Sequence, residues 1–197
     1  MSSDPRTRSS NGIPVAEMTV FALVAVMMLL AKTITRMPIK TSGHSGLLWI
    51  AALVIGRGVA RQRWAATLMG VVGGLLVAIF QPTHAGLLLD AAKYIVPGIV
   101  LDLLYPLLGR LDRVVPAMFA AAIAHTSKVA VDVLQAIVVH LGDRTAAYWA
   151  LYTLARSTVG HVLFGALGGL LGALVLKALI RAKIPQLRDP SGEERAT

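Results

Sequence analysis

The sequence predicts an all-α integral membrane protein with six transmembrane helices and both termini in the cytoplasm. Composition is the first sign: 56% of the 197 residues are hydrophobic and only 15% are charged, against about 25% charged in ordinary soluble domains. The second is the length of the apolar runs. Trp64–Phe80 carries no charge and Val15–Ala31 carries one, and about 20 apolar residues cross a hydrocarbon core. The third is the alternation of charge between successive connections, developed below.

The first span is expected at 14–35. The polar, Ser-rich stretch before it has no clear small-x-small cleavage site, so the run reads as a retained helix rather than a signal peptide. The second span is expected at 44–60 and the third at 64–80, joined by a turn bearing Arg57, Arg61 and Arg63. The fourth is expected at 88–109 and the fifth at 114–140. The stretch 146–180 is longer than a bilayer needs, so a short interfacial helix at 145–155 and a span from about Ser157 are expected there. The chain divides into a disordered cytoplasmic N-terminus (1–13), a six-helix membrane domain (14–182) and a disordered cytoplasmic tail (183–197).

Orientation follows from Lys and Arg. With the N-terminus inside, 12 of the 19 fall in cytoplasmic segments, 4 (Lys32, Arg36, Lys40 and Arg144) in outer ones, and Lys93, Lys128 and Arg156 in or near spans. Cytoplasmic loops carry the excess of Lys and Arg, which gives N-in, C-in. The net charge of +9 is therefore a topology signal and not a nucleic-acid footprint. There is no cysteine, which excludes disulfides and thiolate chemistry. The pairs Gly70/Gly74, Gly165/Gly169 and Gly168/Gly172 form small-residue faces for close helix packing.

Charges within spans are costly and mark sites or pairs. In the fifth segment His125, Lys128 and Asp132 share one helical face, and Lys128 and Asp132 stand one turn apart, so they pair or line a ligand site. With N-in topology His44 lies at the outer mouth of the second span. Asp90, Lys93 and Tyr94 open the fourth; Arg156 and His161 open the sixth. Candidate substrate-binding residues are thus His44, Trp49, Lys93, His125, Lys128, Asp132, Arg156 and His161. Cations slightly outnumber anions among them, which suits a carboxylate or phosphate ligand. Trp49, Tyr148, Trp149 and Tyr152 read first as an interfacial aromatic belt, with stacking on a ligand ring as the other reading. Five histidines occur without an HxH or HExxH spacing, so no metal site and no cofactor is expected, although a cobalt, nickel or haem substrate stays open.

Gly43-His44-Ser45-Gly46 suggests a serine nucleophile. The G-x-S-x-G elbow fails, because position 47 is Leu. The patch is similar to the G-x-S-G of rhomboid intramembrane proteases, with His161, Gly165 and Gly169 resembling that family's histidine span, but the order of spans differs. The preferred reading is that Ser45 caps the second helix at the outer surface.

The whole layout resembles the substrate-binding S-components of energy-coupling factor (ECF) transporters. The stretch from Pro38 to Phe80, with Gly43, Gly56, Arg57, Gly70 and Gly74, carries most of the likeness, and "HVLFGALGGLLGALVLKAL" resembles the family's last span. The resemblance implies a non-enzymatic capture subunit in the bacterial cytoplasmic membrane. Such a subunit binds a micronutrient, a vitamin or a precursor, and works with a membrane coupling subunit and cytoplasmic ATPases. The chain itself has no phosphate-binding G-x-x-x-x-G-K-[ST] loop. The resemblance further implies that Ala22 and Ala25 face the coupling subunit and that the outer loop 36–43 is a lid. The Met-Ser-Ser start lacks the Met-His of the cobalt and nickel branch. The alternatives are a rhomboid-like Ser45/His161 protease and a structural membrane subunit without ligand.

Overall fold

The structure, a computed structural model, describes residues 13–34, 43–83, 86–139 and 143–182. Six α-helices follow in chain order: α1 (Val15–Ile34), α2 (Gly46–Val59), α3 (Ala65–Phe80), α4 (Leu87–Leu108), α5 (Val114–Val139) and α6 (Arg144–Arg181). No strand occurs among the described residues. Three helices, α1, α5 and α6, are long and apolar enough to cross a membrane; α2 and α3 are shorter apolar helices. The expected tails and the expected lid at 36–43 fall almost wholly outside the described residues. Ile13 does not belong with the tail, because it packs against the core.

The helices alternate in direction. Glu17, at the start of α1, accepts a hydrogen bond from the backbone N–H of Arg61, beyond the end of α2. Gln81 Nε2, after α3, donates to Thr33 Oγ1 near the end of α1. Gly98 of α4 meets Ala66 of α3, and Gly169 of α6 meets Ala117 of α5. One end of the bundle therefore gathers the starts of α2, α4 and α6, and the other end gathers their finishes. Around the bundle α1 packs on α3, α3 on α4, α4 on α5 and α5 on α6, while α2 touches all five others.

Packing is inverted relative to a soluble protein. On α1 the inward stripe is Phe21, Val24, Ala25, Met28 and Ala31, at helical spacing. The outward side is also apolar: Leu23, Val26, Met27, Leu30 and Ile34 are exposed, as are Phe119 of α5 and Leu163, Leu171 and Leu174 of α6. Such a continuous apolar exterior suits lipid rather than water.

Glycines set the inter-helix spacing. Gly70 and Gly74 of α3 press on the backbone of Tyr94 and Ala91 in α4. On α6, Gly165 and Gly169 face α5, while Gly168 and Gly172 face α2. A side chain at any of these positions would meet neighbouring atoms, so the small-residue faces serve packing within the chain.

The α6 region corrects the expectation of two helices. It is one helix of 38 residues, with the Asp143 carboxylate accepting from Ala146 N at its start. No Pro or Gly lies between Arg144 and Val159, so nothing interrupts the hydrogen-bond ladder.

At the end where α2 finishes, a buried polar knot ties three helices. Arg57 Nε lies 2.7 Å from Asp102 Oδ1, and both side chains are almost wholly buried. The guanidinium carbon stacks 3.7 Å from the centroid of the Tyr105 ring. Arg57 Nη1 and Nη2 also reach the carbonyls of Ala60 and Arg63. The Nε–H itself makes no well-aligned hydrogen bond, so the Arg57–Asp102 contact is an ion pair by proximity. Asp102 in turn accepts from Ala66 N, Thr67 N and Thr67 Oγ1. It thereby supplies from α4 the cap that Trp64, at the N-cap of α3, does not.

Removing one partner of a buried pair strands the other. Arg57→Met is expected to cost about 3–5 kcal/mol. Asp112→Asn, which breaks the exposed Arg110–Asp112 pair, is expected to change stability by under about 1 kcal/mol. Thermal unfolding of both variants in detergent micelles checks the contrast.

Candidate functional site

The end where α2, α4 and α6 begin holds the candidate residues. The chain reverses at Gly43, whose φ is +84° and whose α-carbon packs on the backbone of Gly160 and His161; an L side chain there meets both strain and a clash. Gly46 N–H and Leu47 N–H then bond back to the carbonyls of Gly43 and His44. Ser45 consequently sits inside a helical turn (φ −63°, ψ −18°) and its side chain makes no capping bond. This corrects the expected Ser45 cap, which needs an extended N-cap residue.

Four rings fill the space beneath. Trp49 and Tyr94 meet edge-on with centroids 5.2 Å apart, and Trp49 and His125 at 5.3 Å. His125 and His161 lie 4.9 Å apart. Trp49 is only 1% exposed, so the belt reading of this residue is corrected: α2 is the inner helix, and its aromatic belongs to the core. Tyr148, Trp149 and Tyr152 are exposed on α6.

The histidines are held by carbonyls. His125 Nδ1 lies 2.9 Å from His161 O, and His161 Nδ1 lies 3.0 Å from Ser157 O. A carbonyl only accepts, so each Nδ1 donates. The His125 ring lies directly against Gly46, where a β-carbon would overlap it. The Ser45 hydroxyl bonds to neither ring among the described residues. Among those residues no group of three or more His, Asp or Glu is arranged to hold a metal ion.

Beside the rings lies a charged network joining α4 and α5. Asp132 uses both oxygens: Lys128 Nζ donates to Oδ2 at 2.7 Å, and Lys93 Nζ lies 3.3 Å from Oδ1. Lys93 also lies 3.5 Å from Asp90 Oδ1. Asp90 is fixed from the other side by Thr83, whose N–H and hydroxyl donate to its two oxygens at 2.7 and 2.6 Å. Lys128 and Asp132 thus pair with each other, and Asp132 also reaches across to α4.

A cavity of about 590 Å³ opens against this network, lined by Lys93 and Asp132, by Gln135, Ala136 and Val139 of α5, and by Ala146, Trp149, Ala150, Thr153 and Leu154 of α6. Its size falls in the ~300–1,000 Å³ range of small-molecule sites.

Of the expected site residues, Lys93 and Asp132 face the cavity and Lys128 supports Asp132 from behind. Trp49, His125 and His161 form the adjoining buried ring cluster, while His44 is half-buried in the turn above it. Arg156 is exposed on α6, and the cavity lining does not include it. The network itself holds two lysines and two aspartates. Of the two alanines expected at a coupling surface, Ala22 is exposed, but Ala25 is buried against Gly73 of α3 and offers no outer surface. Gln135, Thr153 and Thr83 were missed. Gln135 carries a readable signal, a polar residue one turn from Asp132 in an apolar run.

Comparison with protein-family models, with curated proteins and with solved structures found no match to this chain.

Placing a methyl on Gly46 forces the His125 ring to move. Gly46→Ala is expected to destabilise by about 1–3 kcal/mol. Adding His125→Ala should restore part of that loss, a non-additivity that thermal melts of the two single variants and the double variant would measure.

Proposed function

We propose that this chain is a six-span subunit of the bacterial cytoplasmic membrane, oriented N-in and C-in, that captures a small micronutrient from outside. In this reading it delivers the molecule inward with separate coupling and ATPase subunits, as an ECF S-component does. The observation that carries the reading is the Lys93–Asp132–Lys128 network at the wall of the cavity between α4, α5 and α6. Ionised groups among apolar helices are expensive, and they are retained where they meet a ligand or one another. Here each charge is paired, and two of them face open space.

The charge asymmetry of the connections supports the orientation. Arg57, Arg61, Arg63, Arg110, Arg113, Lys177 and Arg181 cluster at the end opposite the cavity, and an inward excess of Lys and Arg favours an outward cavity mouth. The apolar exterior on every side supports full immersion. Among the described residues no hydrogen bond joins Ser45 to His125 or His161, and a Ser–His dyad needs one, which favours capture.

Purification in mild detergent followed by native mass spectrometry is the test. A stoichiometric small-molecule adduct, reduced at least about tenfold in occupancy by Asp132→Ala, is the expected result. An adduct-free mass, together with no coupling or ATPase subunit retained on affinity capture from the source membrane, would overturn the reading.

A further inference from the structure

We propose that the cavity is built for a zwitterion, a small molecule bearing a carboxylate and a protonated amine with an apolar or ring-bearing remainder. The inference rests on the reading of this cavity as a capture site. Two ionised groups line it, one of each sign: Lys93 from α4 and Asp132 from α5, 3.3 Å apart. Each has a second partner behind it. Lys93 keeps Asp90 at 3.5 Å, and Asp132 keeps Lys128 at 2.7 Å. The Lys93–Asp132 contact can therefore open without leaving either ion unpaired, which is the usual penalty for breaking a buried pair.

A ligand that enters the opened contact must replace both halves of it. A carboxylate satisfies Lys93 and an ammonium satisfies Asp132. A simple anion on Lys93 would sit beside the Asp132 carboxylate, and a simple cation on Asp132 would sit beside the Lys93 ammonium; each like-charge neighbour weakens binding. The rest of the wall suits the remainder of such a molecule. Gln135 and Thr153 offer polar contacts, while Val139, Trp149 and Leu154 offer apolar and aromatic surface.

The test uses the purified full chain in detergent and two matched probe series. One is tryptophan, tryptamine and indole-3-propionate; the other is leucine, isopentylamine and 4-methylpentanoate. Tm is followed against concentration, and small molecules that copurify are identified by mass spectrometry. The zwitterion of at least one series should act at a concentration at least about tenfold lower than its amine or its acid. In Lys93→Met the preference should pass to the amine, and this retained binding also shows that the variant is folded. Equal or tighter binding of an acid or amine to the wild type would overturn the zwitterion assignment and leave the capture reading standing, as would a ranking unchanged in Lys93→Met. If no probe binds, the charge class of the copurifying molecule decides in the same way. No binding by any probe and no copurifying molecule would overturn both.

Discussion

The architecture depends on how closely other backbones can approach α2. Helices in an apolar solvent gain little from hiding apolar surface, so their association rests on close contact and on polar bonds. Among the described helices the short α2 alone touches all the others, and glycines stand at its contacts. Gly46 lies under His125, Gly56 against Met69 and Val24, and Gly58 against Leu176, while Gly168 and Gly172 of α6 press on its flank. Each close approach fixes a neighbour. Gly46 leaves room for the His125 ring and Gly165 for its β-carbon, and the ring's bond to the His161 carbonyl ties α5 to α6 where they meet. The cavity opens between the same two helices and α4.

Helix α4 supplies the polar counterpart. Asp90 and Lys93 near its start, and Asp102 toward its finish, hold loops and helix ends at opposite ends of the bundle. Both aspartates accept hydrogen bonds from backbone N–H groups, those of Thr83 at one end and of Ala66 and Thr67 at the other. Pro97 lies between them, where it removes the N–H that would bond to the carbonyl of Lys93. The polar groups of α4 serve both ends, and at the end near α2's start Lys93 faces a cavity.

Much of this was legible in the sequence, for reasons that also mark its limits. Helix boundaries follow from the switch between apolar runs and charged or Gly- and Pro-containing connections, and α1 to α5 lie within a few residues of the expected spans. The Lys128–Asp132 pair was readable because one helical turn separates the two. Its link to Lys93 was not, since a helix period shows which residues share a face and not which helix they meet. The same gap explains Trp49 and Ala25: hydropathy marks α2 as apolar without saying that it is the inner helix, and Ala22 and Ala25 look alike until α3 is seen against one of them. The continuity of α6 was hidden because bilayer thickness, rather than any breaking residue, motivated the division.

The brevity of α2 has a consequence for the lipid around the molecule. At ~1.5 Å per residue its 14 residues span ~21 Å, against ~30 Å of hydrocarbon. A lipid-facing helix of that length would force a bilayer to thin around it, but nine of its residues are buried in protein, so in a bilayer the shortfall would fall on the protein packed about α2 and not on the lipid.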